Sequence, residues 1–143
     1  MSVTLNPYLS FRDNAREAMT FYQGVFGGDL RISTFEELHA SPGPAEGDKV
    51  MHSQLGTPSG LTLMDSDTPN SMALPESSAI TVSLSGGPSD DAELRRYWAG
   101  LTDGATVTMP LEKAPWGDAF GMCTDKFGVG WMVNISAQEM PTA

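Results

Sequence analysis

The sequence predicts an α+β fold: two βαβββ modules whose curved sheets surround a cleft. Three observations carry that prediction. An amphipathic helix pattern occurs twice, with Ala18, Phe21, Tyr22 and Val25 at i, i+3, i+4, i+7 and Leu94, Tyr97, Trp98 and Leu101 repeating the spacing 76 positions later. Short apolar runs of strand character flank both helices in the same order. The chain has 143 residues, the size of a single domain. Each copy is then only about 60–70 residues long, too short to bury a sheet well alone.

The elements follow in order. Residues 3–11 read as a strand, which Pro7 places at an edge or a bulge. Asn14 stands at a helix N-cap, and Glu17 three residues on has capping-box spacing. Gly27-Gly28 ends that helix, because glycine accepts the left-handed geometry of a helix C-terminus. A strand over 30–35 and a polar, Pro/Gly-rich loop over 36–49 come next. Residues 50–55 and 61–65 form a hairpin around 56–60, in which a symmetric turn sets Leu55 opposite Leu61, Gln54 opposite Thr62 and His52 opposite Met64. Residues 66–77 are polar with two prolines.

The second half repeats the plan. A strand over 79–84 breaks at Gly86-Gly87-Pro88, and Ser89 or Asp90 caps the second helix, Asp90 with Glu93 at capping-box spacing. A strand over 105–109 leads to a hairpin of 119–124 and 129–135, turning through Asp125-Lys126-Phe127-Gly128. The single domain therefore divides into module one (1–68), a linker (69–77) and module two (78–143).

Charge removes several function classes. With 18 Asp+Glu against 8 Lys+Arg the formal charge is -10, and the cations form no basic stripe. A nucleic-acid partner is not expected, nor docking on an anionic membrane. No apolar run reaches the length of about 18 residues needed to span a bilayer. The first residues lack the basic start and apolar stretch of a secretion signal. Cys123 has no second cysteine to pair with, so a cytoplasmic protein is expected.

Strand alternation predicts which side chains face the cleft. Leu55, Leu61 and Leu63 share the helix side of the first hairpin, and Val129, Trp131, Val133 and Ile135 that of the second. The opposite faces carry His52, Gln54, Thr62, Met64, Phe120, Met122, Met132 and Asn134. That lining is mostly apolar with few polar handles, as in sites for small-molecule ligands, and its methionines make it adaptable. Tyr8 reaches the rim or covers an edge. Trp116 and Asp118 open the last hairpin, where the indole can stack on a ligand and the carboxylate can position it, or both belong to an exposed turn. His52 is the catalytic candidate, as general base, proton donor or orienter of a ligand oxygen. The alternative is a half-buried histidine bonded within the sheet. His39 falls in a solvated loop and Cys123 among apolar neighbours. No GxGxxG, P-loop or nucleophile elbow occurs.

The segments PYLSFRDNAREAMTFYQGVFGG (7–28), VMHSQL (50–55), LTLMDSD (61–67) and WGDAFGMCTDKFGVGWMVNI (116–135) resemble the PhnB-like branch of the vicinal oxygen chelate superfamily. That superfamily is the glyoxalase / bleomycin-resistance / extradiol-dioxygenase group, and the branch carries the label 3-demethylubiquinone-9 3-methyltransferase-like domain. The resemblance implies the glyoxalase/bleomycin-resistance fold of paired βαβββ modules, and a homodimer. It also implies where enzymes of the group hold a divalent metal: one His or Glu near the start of each module's first strand and one on its last. Those places fall here at Pro7 and at Ser78 or Ala79, and at Met64 and Met132, none a good ligand for a hard ion. No metal site and no cofactor are therefore expected. Two functional classes follow from the resemblance. One is a binding protein for a small molecule. The other is a glyoxalase- or dioxygenase-type enzyme using a divalent metal on non-standard residues. No Gly-rich loop after a strand supplies a methyl-donor motif.

Overall fold

Each half of the chain builds a four-stranded mixed sheet with one helix packed on it. The computed structural model describes residues 3–74 and 79–139, and the chain divides into two compact units between residues 77 and 78. The first unit runs β1 (Tyr8–Phe11), α1 (Ala15–Phe26), β2 (Asp29–Thr34), β3 (Val50–Gly56) and β4 (Thr62–Asp67). The second runs β5 (Val82–Gly86), a 3-10 turn over Pro88–Asp90, α2 (Asp91–Leu101), β6 (Thr106–Lys113), β7 (Ala119–Thr124) and β8 (Gly130–Ile135). The α+β class and the doubled βαβββ order are as the sequence predicts. Neither helix is long and apolar enough to cross a membrane.

In the first sheet the strand order is β1-β4-β3-β2, with β1 parallel to β4 and the other pairs antiparallel. Ala15, Ala18, Met19, Tyr22 and Phe26 of α1 are buried, together with Phe11, Val50, Leu55 and Leu63 of the strands. Phe21 and Val25, expected in that stripe, are only half-buried. The helix begins differently from the expected capping box. Asn14 holds the N-cap position, but its side chain makes no capping bond. The buried Asp67, at the end of β4, accepts the Ala15 N–H at 3.0 Å on Oδ1 and the Val50 N–H at 2.9 Å on Oδ2. One carboxylate thus satisfies an orphan amide of the helix start and fixes the start of β3 as well. After the helix the chain turns at Gly28, whose φ of 99° favours glycine. A side chain there would also collide with the Gly56 carbonyl oxygen.

Two expectations for this unit need correction. The strand over 3–11 begins only at Tyr8, and Val3 and Leu5 are fully exposed. Pro7 has no N–H to offer a ladder; its carbonyl accepts the Met64 N–H at 3.1 Å, and the ladder starts after it. The hairpin register is also displaced. Leu55 pairs with Leu63 and Gln54 with Met64, because Gly56 still pairs with Thr62 and the turn closes through a Thr57 N–H to Leu61 carbonyl bond of 3.0 Å. Leu61 is left partly exposed outside the strand. The displacement is two residues, so each side chain keeps its predicted face.

The second sheet has the order β5-β8-β7-β6, again with its first and last strands parallel. Leu94, Tyr97 and Leu101 of α2 are buried, together with Leu84, Cys123, Trp131, Val133 and Ile135 of the strands, while Trp98 is half-buried. Met19, Tyr22 and Phe26 of α1 match Leu94, Tyr97 and Leu101 of α2 at a spacing of 75 positions, one less than the sequence stripe suggests. Asp90 does not cap α2; its carboxylate turns back to accept the Gly87 N–H at 3.0 Å. The turn after β7 is organised by the buried Asp125, which accepts the N–H groups of Phe127 (2.9 Å) and Val129 (3.0 Å) and the Trp131 indole N–H at 2.9 Å. β5 starts three residues later than expected, and β6 extends through Pro110 to Lys113. That proline is tolerated because β6 is an edge strand with register shifts around it. Gly121 permits close packing, since a Cβ there would lie 2.8 Å from the Leu111 Cα and 2.9 Å from the Trp98 ring.

Candidate functional site

Each sheet has one face under its helix and one face free of it. In the first sheet the register lays a row across all four strands of the helix-free face: Tyr8 opposite Met64, Met64 opposite Gln54, Gln54 opposite Arg31. His52 lies in the next row beside Ser33, and Thr62 shares the face at its other end. Tyr8 is half exposed. Its ring stacks on His52 with centroids 5.7 Å apart and planes 29° apart, and its hydroxyl lies 3.2 Å from His52 Nδ1. Sequence reasoning singled out Tyr8, His52, Gln54, Thr62 and Met64 but not Arg31 or Ser33. β2 alternates Asp29, Arg31 and Ser33 with Leu30 and Ile32, a signal that puts both on one face, and its register with β3 sets them beside Gln54 and His52.

The acids of β4 point the other way. Asp65 is fully buried beneath α1, where Ser53 Oγ donates to its Oδ1 and its Oδ2 has no partner among the described residues. Burial pushes this carboxyl up to about 7; the Ser53 hydrogen bond lowers it, and the nearby Asp67 charge raises it further. The matching position of the second unit is Val133, paired with Gly121 where the first unit has Ser53.

The helix-free face of the second sheet carries a methionine row bordered by polar side chains. Met109, Met122 and Met132 are successive cross-strand partners on β6, β7 and β8, and Ser83 of β5 completes their row. The adjacent row runs Ser85, Asn134, Phe120 and Glu112. Trp116, 63% exposed, meets Phe120 edge to face at 5.9 Å and 61°. Asp118 accepts the Asn134 side-chain N–H at 3.2 Å and the Ala137 backbone N–H at 2.9 Å. It therefore orients Asn134 and ties the start of β7 to the segment after β8.

The positions at which the superfamily carries its metal do not suit a hard ion here. Pro7 has no donor side chain, Ala79 has only a methyl, and Met64 and Met132 present thioethers, which favour soft metals. Ser78 lies outside the described residues. Among the described residues no three His, Cys, Asp or Glu side chains gather as a metal-holding group. The remaining candidates fall elsewhere. His39 sits in an exposed loop at φ 55°. Cys123 is buried, and burial, with Asp125 nearby, raises its thiol above the ordinary value, so the reactive thiolate is disfavoured. Trp131 is a core residue. Two cavities, of about 580 and 400 Å³, open beside the N-terminal ends of α1 and α2 rather than on the helix-free faces. Asp13, Arg16 and Lys49 line the first, and Asp91, Arg95 and Lys113 the second.

Comparison with known proteins agrees with this architecture. Protein YjdN of Escherichia coli is 29% identical, over 94% of this chain and 97% of its own. The uncharacterized protein Mb0911c of Mycobacterium bovis is 32% identical, over 98% of this chain and 90% of its own. Among solved structures, protein PA1353 of Pseudomonas aeruginosa is 38% identical with a TM-score of 0.79, covering 94% of this chain and 98% of that one. The fold alone is shared with the manganese-bound fosfomycin resistance protein FosX of Listeria monocytogenes, at 12% identity and a TM-score of 0.58, over 96% of this chain and 94% of that one. A family model described as 3-demethylubiquinone-9 3-methyltransferase matches residues 3–134. The chain belongs to that family, on the glyoxalase/bleomycin-resistance fold.

Proposed function

We propose that this protein binds a small organic molecule on the helix-free faces of its sheets and does so without the His/Glu metal site of its superfamily. The observation that carries this reading is the row Met109, Met122, Met132 beside Phe120 and the exposed Trp116. Thioethers and aromatic edges in partial contact with water make an adaptable apolar surface. In the first unit, Tyr8, His52, Gln54 and Thr62 are the polar handles around Met64, with His52 the group that acts on a ligand atom. In the second, Asn134 is the handle, and Asp118 sets its orientation. We propose further that the protein works in the cytoplasm as a homodimer.

A fragment screen read by methionine-methyl and tryptophan resonances tests this. Fragments are expected to shift Met122, Met132 and Trp116, and Phe120→Ala to weaken those shifts. Responses confined to the cavities beside the helix starts would overturn the proposal. Metal analysis of protein purified without chelators, followed by calorimetry with Zn, Mn, Ni and Fe(II), tests the other half. One tightly bound ion per chain would restore the metal-dependent enzyme as the reading.

A further inference from the structure

We infer that Tyr8 is a positioning residue: its phenol donates to His52 Nδ1, holds the imidazole in its Nε2–H tautomer, and so makes the helix-free face of the first sheet a donor surface for a ligand's oxygen acceptors. This deepens the binding reading above and rests on it for the ligand, though not for the tautomer.

The contact permits two arrangements, since either the hydroxyl or the ring nitrogen can supply the proton across 3.2 Å. Chemistry separates them. A phenol is a stronger acid than a neutral imidazole N–H. An imidazole's unprotonated ring nitrogen is a better acceptor than a phenol oxygen, whose lone pair is shared with its ring. The hydroxyl therefore donates, Nδ1 accepts, and the ring proton resides on Nε2. The near-parallel stacking of the two rings holds His52 in place while this bond is made.

The surroundings carry the argument from one N–H to a surface. Gln54 brings an amide and Arg31 a guanidinium in the adjoining row, and Ser33 a hydroxyl beside His52. The β4 carboxylates Asp65 and Asp67 lie buried on the opposite face. Asp29, at the far end of β2, lies 3.8 Å from Arg31 with both side chains about 85% exposed, and the Glu37 carboxylate is engaged by the Thr34 N–H at 3.0 Å. N–H and O–H donors of Gln54, Arg31 and Ser33 thus stand beside the His52 Nε2–H, and a carboxylate or carbonyl oxygen is a complementary group.

Long-range nitrogen–proton correlation of the histidine rings in the free, full-length chain decides the tautomer, at about pH 8, above the range in which imidazoles ordinarily titrate. His39, exposed in its loop, is the internal reference. His52 is expected to show Nε2–H alone, with an Nδ1 resonance displaced from that of His39 by the accepted hydrogen bond. Tyr8→Phe is expected to abolish that displacement. An Nδ1–H tautomer, or a pattern unchanged in Tyr8→Phe, overturns the inference. Benzoate, benzamide and benzylammonium then probe the surface. The first two should move the His52 Nε2 resonance and the third should not. If the methionine methyls respond while His52 is silent to all three, or if only benzylammonium moves it, the donor surface is wrong and the binding reading stands. If neither responds to any probe, both fail, and the tautomer measurement still stands by itself.

Discussion

Asp65→Asn replaces a buried carboxyl with a group that cannot ionise, and the position of Asp65 sets the size of the effect. Its carboxyl is raised from 3.8 to about 7, first by burial beneath α1. Between those values the folded chain holds a proton that the unfolded chain has released. Stability therefore falls as pH rises through this window and is lowest above it. At about 1.4 kcal/mol per pH unit the full window is worth roughly 4 kcal/mol, of which roughly 2–3 kcal/mol lies between pH 5 and 8. Glu37 and Glu46, whose carboxyls are lowered by hydrogen bonds to the Thr34 and Asn70 backbones, respond only at more acid pH and in the opposite sense. Urea unfolding followed by tryptophan fluorescence at a series of pH values and fixed ionic strength measures the slope. The wild type should lose stability toward pH 8, and Asp65→Asn should be nearly flat. The second unit's solution, Asp65→Val with Ser53→Gly, should be flat as well. A wild-type profile that rises or stays level from pH 5 to 8, or an equal slope in Asp65→Asn, would refute the reasoning.

Two further substitutions test the scaffold. Asp67→Ala leaves the Ala15 and Val50 N–H groups without their carboxylate and should cost about 3 kcal/mol. Hydrogen exchange should speed up first at those two amides. Gly121→Ala forces a methyl against Leu111 and Trp98 and should cost about 1–3 kcal/mol by overpacking, lowering the thermal midpoint.

The pattern of what could be read from the chain has a physical origin. Faces were legible because side chains alternate with a period of two, and the hairpin slipped by two residues, which returns Gln54, Met64 and Thr62 to the same side. Register was not legible, since it depends on how the Thr57–Leu61 turn closes. The start of α1 was misread for a related reason: Asn14 and Glu17 are neighbours in sequence, but Asp67 reaches Ala15 from the end of β4. The Asp29–Ser33 alternation of β2 carries the face of Arg31 and Ser33, but their neighbours Gln54 and His52 follow only from its register with β3. Asp65 shares the parity of Leu63, which points it under the helix, yet its lack of a second partner becomes visible only when Ser53 and α1 are in position around it.

The parallel pairing of β1 with β4, and of β5 with β8, has a consequence for how the chain is made. Each sheet is completed by its own unit's last strand, and among the described residues every ladder lies within one unit. A chain leaving the ribosome can complete the Tyr8–Met64 ladder once residue 67 has emerged, while α2 is still within the exit tunnel. Because domains generally fold as units during synthesis, N-terminal first, the late step for the first unit is the arrival of the strand carrying Asp65 and Asp67. Codon or sequence changes that slow elongation once β4 has cleared the exit tunnel would then favour the first sheet. A pause within it would prolong the exposure of α1's apolar face.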